Sequence, residues 1–142
     1  MPAKLANIVI DCADPRLLAH FWSDVFGYPR MEYPDDMRRD LLASGLTEND
    51  LLDRAVAEDP AGEGPRFYFQ RVPESKQGKN RVHVDIRSVP GRRAEPPEVD
   101  AEVERVTGLG ATVLRKAVGS WGPHSEYFYV LADPEGNEFC VC

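Results

Sequence analysis

Two short stretches of the chain alternate between apolar and polar side chains, as strands with one buried face do. They are residues 6–13 and residues 81–88. In the later stretch, the apolar face holds Val82, Val84 and Ile86. Its polar face holds His83, Asp85 and Arg87. We expect the apolar face to pack under a helix and the polar face to line a space that contains solvent.

The two stretches align with each other at an offset of about half the chain, which pairs Asn7 with His83. A helix should follow the first strand, because Asp14 can cap it and Pro15 suits its first turn. Its apolar stripe is Leu17, Leu18, Phe21, Trp22, Val25 and Phe26, and Gly27 ends it. His20 falls outside this stripe, and we assign it no role.

The remaining pattern completes a duplication. The first half continues with an extended piece at 28–33 and strands at 54–58 and 66–72. The second half has a helix at 97–107, with Val99, Val103 and Val106 as its buried stripe, followed by three strands. These strands are predicted at 111–118, 126–132 and 138–142, with a loop at 119–125. Each half therefore reads as strand, helix and three strands.

This order predicts an α+β protein, with one domain over residues 1–142 made of two tandem βαβββ modules. Module one spans 1–73, a flexible connection spans 74–80, and module two spans 81–142. One sheet face of each module would be left open, so two modules would enclose a cleft. The helical insertion at 35–53 is either a lid or a surface excursion, and the pattern does not separate the two.

Composition narrows the function classes. The formal charge of −7 disfavours a nucleic-acid binder. No apolar run is long enough to span a bilayer, and the first residues lack the core of a signal peptide, so we expect a cytoplasmic protein that binds no membrane. Cys12, Cys140 and Cys142 are expected to be reduced thiols. The stretch 66–93 is locally basic, with eight Lys or Arg against two acidic residues, which indicates a solvated face or an anion site.

Several motifs resemble those of the vicinal oxygen chelate superfamily, which includes glyoxalase I, bleomycin-resistance proteins, fosfomycin-resistance enzymes and extradiol dioxygenases. They are the Asp14-Pro15 helix start, Asn-Arg-Val-His-Val-Asp at 80–85, Leu-Gly-Ala-Thr-Val at 109–113 and Ala-Asp-Pro-Glu-Gly-Asn-Glu-Phe at 132–139. Within the superfamily, the chain is most similar to small bacterial glyoxalase-like domain proteins. The resemblance covers nearly all of the chain except 35–53, and it implies the paired-module fold.

The resemblance also implies where metal-using relatives would place their ligands. Three of these positions are Asn7, His83 and Cys140, while the strand before the connection offers Tyr68 or Gln70. Only His83 matches the imidazole and carboxylate ligands expected for such an ion. Asp85 faces the same way, but neighbours two apart on a strand lie roughly 6.5 to 7 Å apart, which suits separate contacts. We therefore expect no resident cofactor, and a divalent metal only through His83 with Asn7 and Cys140.

Each candidate also has a purely structural interpretation. His83, Asp85 and Arg87 would otherwise need internal partners, so we favour ligand contact for them. Cys140 is more simply a small buried apolar residue. Trp121 and Tyr129 either form an aromatic wall or serve packing. The full expected ligand-binding set is Asn7, Tyr68, Gln70, His83, Asp85, Arg87, Trp121, Tyr129 and Cys140.

The sequence thus predicts a glyoxalase-like domain protein that binds a small organic molecule, of the drug-sequestering kind found in bleomycin resistance, without metal. The alternative is a lyase, isomerase or dioxygenase of the superfamily that uses His83, with Asp85 as its partner in a general base pair. We expect a homodimer, in which modules pair within or between chains. The identity of the ligand does not follow from the sequence.

Overall fold

The computed structural model describes residues 1–142, which divide into two compact units, Met1–Ser75 and Lys76–Cys142. The boundary falls within the predicted connection at 74–80. Helices and sheets occur in both units, so the predicted α+β class is confirmed. None of the helices combines the length and the apolar character that crossing a membrane requires.

The first unit contains a three-stranded sheet and two α-helices. Its elements are β1 (Ile8–Cys12), α1 (Pro15–Phe26), α2 (Asp35–Ala43), a short 3-10 helix (Asp50–Leu52), β2 (Arg54–Ala57) and β3 (Phe67–Arg71). The strand order is β1-β3-β2. β3 runs parallel to β1 and antiparallel to β2.

Helix α1 forms as its sequence predicts and carries the core of this unit. The Asp14 side chain accepts a hydrogen bond from the backbone N–H of Leu17 at 3.0 Å, and Gly27 closes the helix with a φ of 72°. Trp22 is buried and stacks on Phe67 of β3 with ring centroids 5.0 Å apart. The inclusion of Leu17 in the apolar stripe was wrong, because that side chain is exposed.

The middle of the first unit departs from the predicted repeat. Residues 28–33 form no strand, so this unit has three strands where four elements were expected. The insertion is helical, as predicted, and consists of two separate helices. α2 ends at Ala43, Gly45 follows with a φ of 104°, and a separate 3-10 helix covers Asp50–Leu52. No residue of α2 is buried, so α2 adds nothing to the core.

The second unit matches the predicted order of strand, helix and three strands. Its elements are β4 (Asp85–Ile86), α3 (Pro96–Gly108), β5 (Thr112–Trp121), β6 (His124–Ala132) and β7 (Glu138–Val141). The sheet order is β4-β7-β6-β5, with β4 parallel to β7 and the other pairs antiparallel. The predicted stripe of α3 is confirmed, since Val99, Val103 and Val106 are all buried.

One strand prediction and one loop prediction in this unit were wrong in extent. The strand expected at 81–88 is only Asp85–Ile86, because these are the two residues that pair with β7. Val82 therefore lies outside the sheet and is 80% exposed, so it does not pack under a helix. The loop expected at 119–125 is instead mostly strand, since β5 and β6 extend to Trp121 and from His124.

The turn before β7 is built around one buried carboxylate. Asp133 accepts hydrogen bonds from the backbone N–H groups of Glu135 at 2.9 Å and Asn137 at 3.0 Å, and from the Asn137 side chain. Gly136 takes a φ of 87° within this turn. The Asp-Pro-Glu-Gly-Asn motif is thus a structural device that sets where β7 begins and which of its side chains share a face.

Candidate functional site

The second unit brings three chemically active side chains together at one edge of its sheet. The parallel register of β4 and β7 places Asp85 beside Cys140, on the same face. His83 Nε2 lies 3.4 Å from Asp85 Oδ1. One donor atom each from His83, Asp85 and Cys140 lies within 4.8 Å of the others. We call these three residues the triad.

The triad corrects one sequence-based expectation. His83 and Asp85 were expected to lie too far apart for a compact cluster, as residues two apart on a regular strand would. His83 precedes the first residue of β4, so it is not held in that geometry. Its imidazole instead approaches the Asp85 carboxylate, and Asp85 belongs in the cluster.

The segment leading to His83 is held to β7 by polar contacts. Glu138 accepts a hydrogen bond from the backbone N–H of Asn80 at 3.0 Å, and from Lys76 Nζ at 3.3 Å. The backbone N–H of Cys140 donates to the carbonyl of Val84 at 2.9 Å. These contacts anchor the chain on both sides of His83, so the triad rests on β7 although β4 is very short.

Burial and charge keep the Cys140 thiol protonated. Burial, which is the larger cause, and the neighbouring Asp85 carboxylate, which shares a hydrogen bond with the thiol, together raise the pKa of Cys140 to about 11. His83 and Asp85 are both exposed. The arrangement can therefore offer a ligand an imidazole and a carboxylate at the surface, with a neutral thiol behind them.

The other predicted residues of this unit are not gathered around the triad. Arg87 follows β4 and is exposed. Trp121 ends β5, at the hairpin turn, and is 76% exposed. The Tyr129 hydroxyl donates to Asp100 of α3 at 2.7 Å, so this ring lies on the helix side of the sheet. A ligand contact for Arg87, Trp121 or Tyr129 stays a prediction. The position of Tyr129 on the helix side does not favour such a contact.

In the first unit, the predicted residues lie on the sheet face opposite α1 and are already engaged. Arg66 Nη1 donates to Asn7 Oδ1 at 2.5 Å, and its guanidinium lies 5.9 Å from the centre of the Tyr68 ring. Gln70 Nε2 donates to Asp11 Oδ1 at 2.6 Å. Arg66 thus joins two of the three predicted residues. Sequence reasoning missed it, although it opens the basic stretch at 66–93.

The triad has the donor atoms that a metal site needs, whereas Asn7 does not fit such a site. Imidazole, carboxylate and thiolate are all zinc ligands, and their spacing here fits one divalent ion, which His83, Asp85 and Cys140 would hold. Asn7 does not fit, because its side-chain oxygen already accepts from a guanidinium. The triad is also satisfied internally, since Asp85 contacts both His83 and the Cys140 thiol.

The first unit also contains an open pocket of about 1030 Å³. Its walls come from α1, the segment at 31–35, α2, the 3-10 helix, and strands β2 and β3. His20, to which the sequence assigned no role, lines this pocket and contacts Glu32 at 3.1 Å. Of the predicted site residues, Tyr68 lines it.

One comparison with known proteins identifies a family. The profile of the glyoxalase-like domain family matches residues 7–142. No curated protein matches the chain.

Solved structures give the same fold. A glyoxalase/bleomycin resistance protein/dioxygenase family enzyme from Burkholderia phytofirmans superposes with a TM-score of 0.63 at 19% identity, over 98% of this chain and 97% of that one. The fosfomycin resistance protein FosX from Listeria monocytogenes, solved with Mn(II) and a dihydroxypropylphosphonic acid, gives 0.62 at 15% identity, over 99% and 90%. A glyoxalase-related enzyme from Fulvimarina pelagi gives 0.60 at 15% identity, over 97% and 86%.

Proposed function

This chain belongs to the glyoxalase-like domain family, within the vicinal oxygen chelate superfamily, and we propose that it binds a small organic molecule at the triad without a resident metal. The observation that carries the proposal is the convergence of His83, Asp85 and Cys140 within 4.8 Å at the edge of the second unit's sheet. We further propose that the protein is of the drug-sequestering kind, which holds its ligand without transforming it.

The chemistry of the triad supports binding through polar contacts. An exposed imidazole can donate or accept a hydrogen bond, and an exposed carboxylate accepts only. Phe128 and Val130 lie on the same sheet face, because Val130 pairs with Cys140 and Phe128 lies two residues before it. Arg115 lies over the Phe128 ring at 5.6 Å. A ligand with an apolar ring and one or two polar groups would match this surface.

Ligand capture with a matched variant tests the proposal. The protein is incubated with a bacterial extract, separated from unbound molecules, denatured, and its small molecules are identified by mass spectrometry. A molecule retained by the wild type and by His124→Ala, but lost in His83→Ala, is the expected result. His124 is an exposed histidine of the same unit. Equal retention by all three proteins, or none by any, would reject binding at the triad.

A second candidate is an enzyme of the superfamily, a lyase, isomerase or dioxygenase. The observation that favours it is the 3.4 Å approach of His83 to Asp85, because a carboxylate can orient an imidazole that acts as a general base. Conversion of the captured ligand by the wild type, with loss in His83→Gln and in Asp85→Asn, would support this candidate. Release of the ligand unchanged after prolonged incubation would favour simple binding.

The metal-assisted form of that enzyme rests on a different observation. FosX was solved with Mn(II), and the triad offers three donors for one ion. We nevertheless propose the metal-free site, because Asn7 is engaged by Arg66 and the triad donors contact each other. Elemental analysis of the purified protein for bound metal decides between the two.

We also propose that the protein is a cytoplasmic homodimer. Its three cysteines are free thiols, which suits a reducing compartment. β5 is an edge strand of ten residues, and Val118 and Trp121 on it are exposed, a combination that favours association. Light scattering at micromolar concentration should give about twice the chain mass of 15.9 kDa. A single species at the chain mass would overturn the dimer.

A further inference from the structure

The insertion at 35–53 forms one side of the pocket of the first unit. Met37 and Leu41 of α2 form one wall, and Leu46 and Leu52 lie further along the insertion. At about 1030 Å³ the pocket is at the upper end of the roughly 300 to 1,000 Å³ of known small-molecule sites. The pocket is therefore large enough for a ligand of its own.

Helix α2 faces this space with apolar side chains that are exposed at Met37 and half-buried at Leu41. An amphipathic helix on a protein surface normally buries its apolar stripe against a core. In α2 no residue is buried, although Met37 and Leu41 point along the same side, four residues apart. Met31 on the facing segment is also exposed. Methionine side chains adapt readily to ligands of different shapes.

The charges around the pocket leave one cation unpaired. Three lining arginines already have carboxylate partners: Arg16 pairs with Glu32, Arg38 with Glu48 and Arg66 with Glu58.

Among the acidic residues that line the pocket, Asp53 pairs with Arg71, and Asp50 accepts hydrogen bonds from Thr47. Asp35 lies in the first turn of α2, where the helix dipole favours a negative charge. The guanidinium of Arg54 has no such partner.

We propose that this pocket is a second binding site, for a small organic acid with an apolar body. The body would cover Met37, Leu41 and Leu52, and its anionic group would pair with Arg54. Arginine binds carboxylates and similar oxyanions through paired N–H donors, which suits this role. The residues involved are distinct from the triad, so the inference does not rest on the function proposed above.

Two related dyes provide the test. 8-Anilino-1-naphthalenesulfonate and N-phenyl-1-naphthylamine share one aromatic body, but only the first carries an anionic group. Both brighten when they leave water, so fluorescence titration of the folded protein gives a Kd for each. We expect saturable binding near one equivalent and a lower Kd for the anionic dye. No saturable binding of either dye, or equal Kd values, would overturn the proposal.

Substitutions locate the site. Arg54→Gln should raise the Kd of the anionic dye by about fivefold, the size expected of a partly exposed charged contact, and leave the neutral dye unchanged. Leu52→Gln should weaken both dyes. Its matched control is Leu17→Gln, because Leu17 is outside the pocket and 47% exposed, against 48% for Leu52. Equal effects of the two leucine changes, or no effect of Arg54→Gln, would contradict the assignment.

A second pair of variants guards against loss of structure. Circular dichroism and melting temperature should be unchanged in each variant, because none of these side chains is buried. If Leu52→Gln disturbs folding, Leu46→Gln replaces it, since Leu46 also lines the pocket and is exposed. His83→Ala should leave both dye affinities unchanged. A loss of dye binding in that variant would place the dyes at the triad and reject the second site.

Discussion

The two units begin with aligned strands and a following helix, but the sheet faces opposite those helices differ. In the first unit, Arg66 and Gln70 close that face with hydrogen bonds to Asn7 and Asp11. In the second, His83 and Asp85 are exposed and contact each other. The same strand pattern therefore supports a face whose polar side chains pair across two strands in one unit, and a face with an exposed His83–Asp85 contact in the other. Alternation predicts where side chains point, but it does not predict which neighbours they will meet.

The units also differ where the insertion replaces regular structure. The second unit has four strands in unbroken order, and its Asp133 turn passes directly into β7. The first has three strands, and between α1 and β2 it carries α2, which buries no residue. The first unit thus has one strand fewer than the second, and its insertion lines a pocket.

The largest expected difference is between the two tryptophans. Trp22 is 1% exposed and Trp121 is 76% exposed, so the same substitution probes a core and a surface. Trp22→Ala should lower the free energy of unfolding by about 3 to 5 kcal/mol, the usual cost of a large core truncation. Trp121→Ala should change it by no more than about 0.5 kcal/mol. Urea denaturation measures both, and similar losses would refute the burial described here.

The two aspartate turns give the next contrast. Asp133 is buried and accepts from the backbone of Glu135 and Asn137, while Asp59 accepts from Ala61 and Gly64 in a more accessible loop. Asp133→Ala should cost about 2 to 3 kcal/mol, because it leaves buried donors unsatisfied. Asp59→Ala should cost less. Thermal melts rank the pair, and a larger loss at Asp59 would contradict the structural role given to the motif.

Cys140 should react slowly. Its pKa of about 11, against 9.0 for the isolated thiol, lowers the thiolate fraction at pH 8 by about a hundredfold. Alkylation by iodoacetamide, followed by mass spectrometry of peptides, should be slower than for a free thiol by at least that factor. Asp85→Asn should speed it. Rapid labelling of Cys140 in the native protein would show that the thiol is neither buried nor held neutral.

The raised pKa of Cys140 also determines whether the free energy of unfolding rises or falls with pH. Between about pH 9 and pH 11 the unfolded chain has lost the thiol proton and the folded chain retains it. The free energy of unfolding should therefore fall as the pH rises through this window. Cys140→Ser should show a shallower fall, because it removes the group that titrates. A stability that rises over this range in the wild type alone would contradict the direction of the shift.

The smallest effect is expected at Arg66. Arg66→Gln removes its contacts with Asn7 and Glu58, which are partly exposed, and should cost about 0.5 to 1 kcal/mol. A double-mutant cycle with Asn7→Ala should give a coupling energy of the same size. A coupling near zero would show that the first unit's face is not held by this contact.

Much of the architecture was accessible from the sequence because it depends on local rules. The cap at Asp14, the turn at Asp133 and the stripe of Val99, Val103 and Val106 each follow from side-chain chemistry at fixed spacing. The length of β4 does not, because it depends on pairing with β7, which is distant in the sequence. The placement of α2 likewise does not follow from these local rules.

The candidate site was predicted only in part, for a related reason. His83 was identified from its polar strand face and from the family resemblance. Its contact with Asp85 was missed because a regular strand was assumed there. The role of Arg66 depends on the pairing of β1 with β3, which brings Asn7 near it across 59 residues of sequence. Such contacts become visible only when the sheet register is known.

Metal binding tests the central claim, a triad that takes an organic ligand without a resident ion, most directly. Protein purified without chelator or affinity-tag metal should contain far less than one equivalent of zinc, iron, manganese or nickel by elemental analysis. Added zinc or manganese should leave its melting temperature unchanged. An ion at a hundred times its Kd would stabilise the fold by about 2.7 kcal/mol, so binding would raise that temperature measurably. A stoichiometric metal that is lost in both His83→Ala and Cys140→Ser would contradict the account and move the protein to the metal-dependent enzymes.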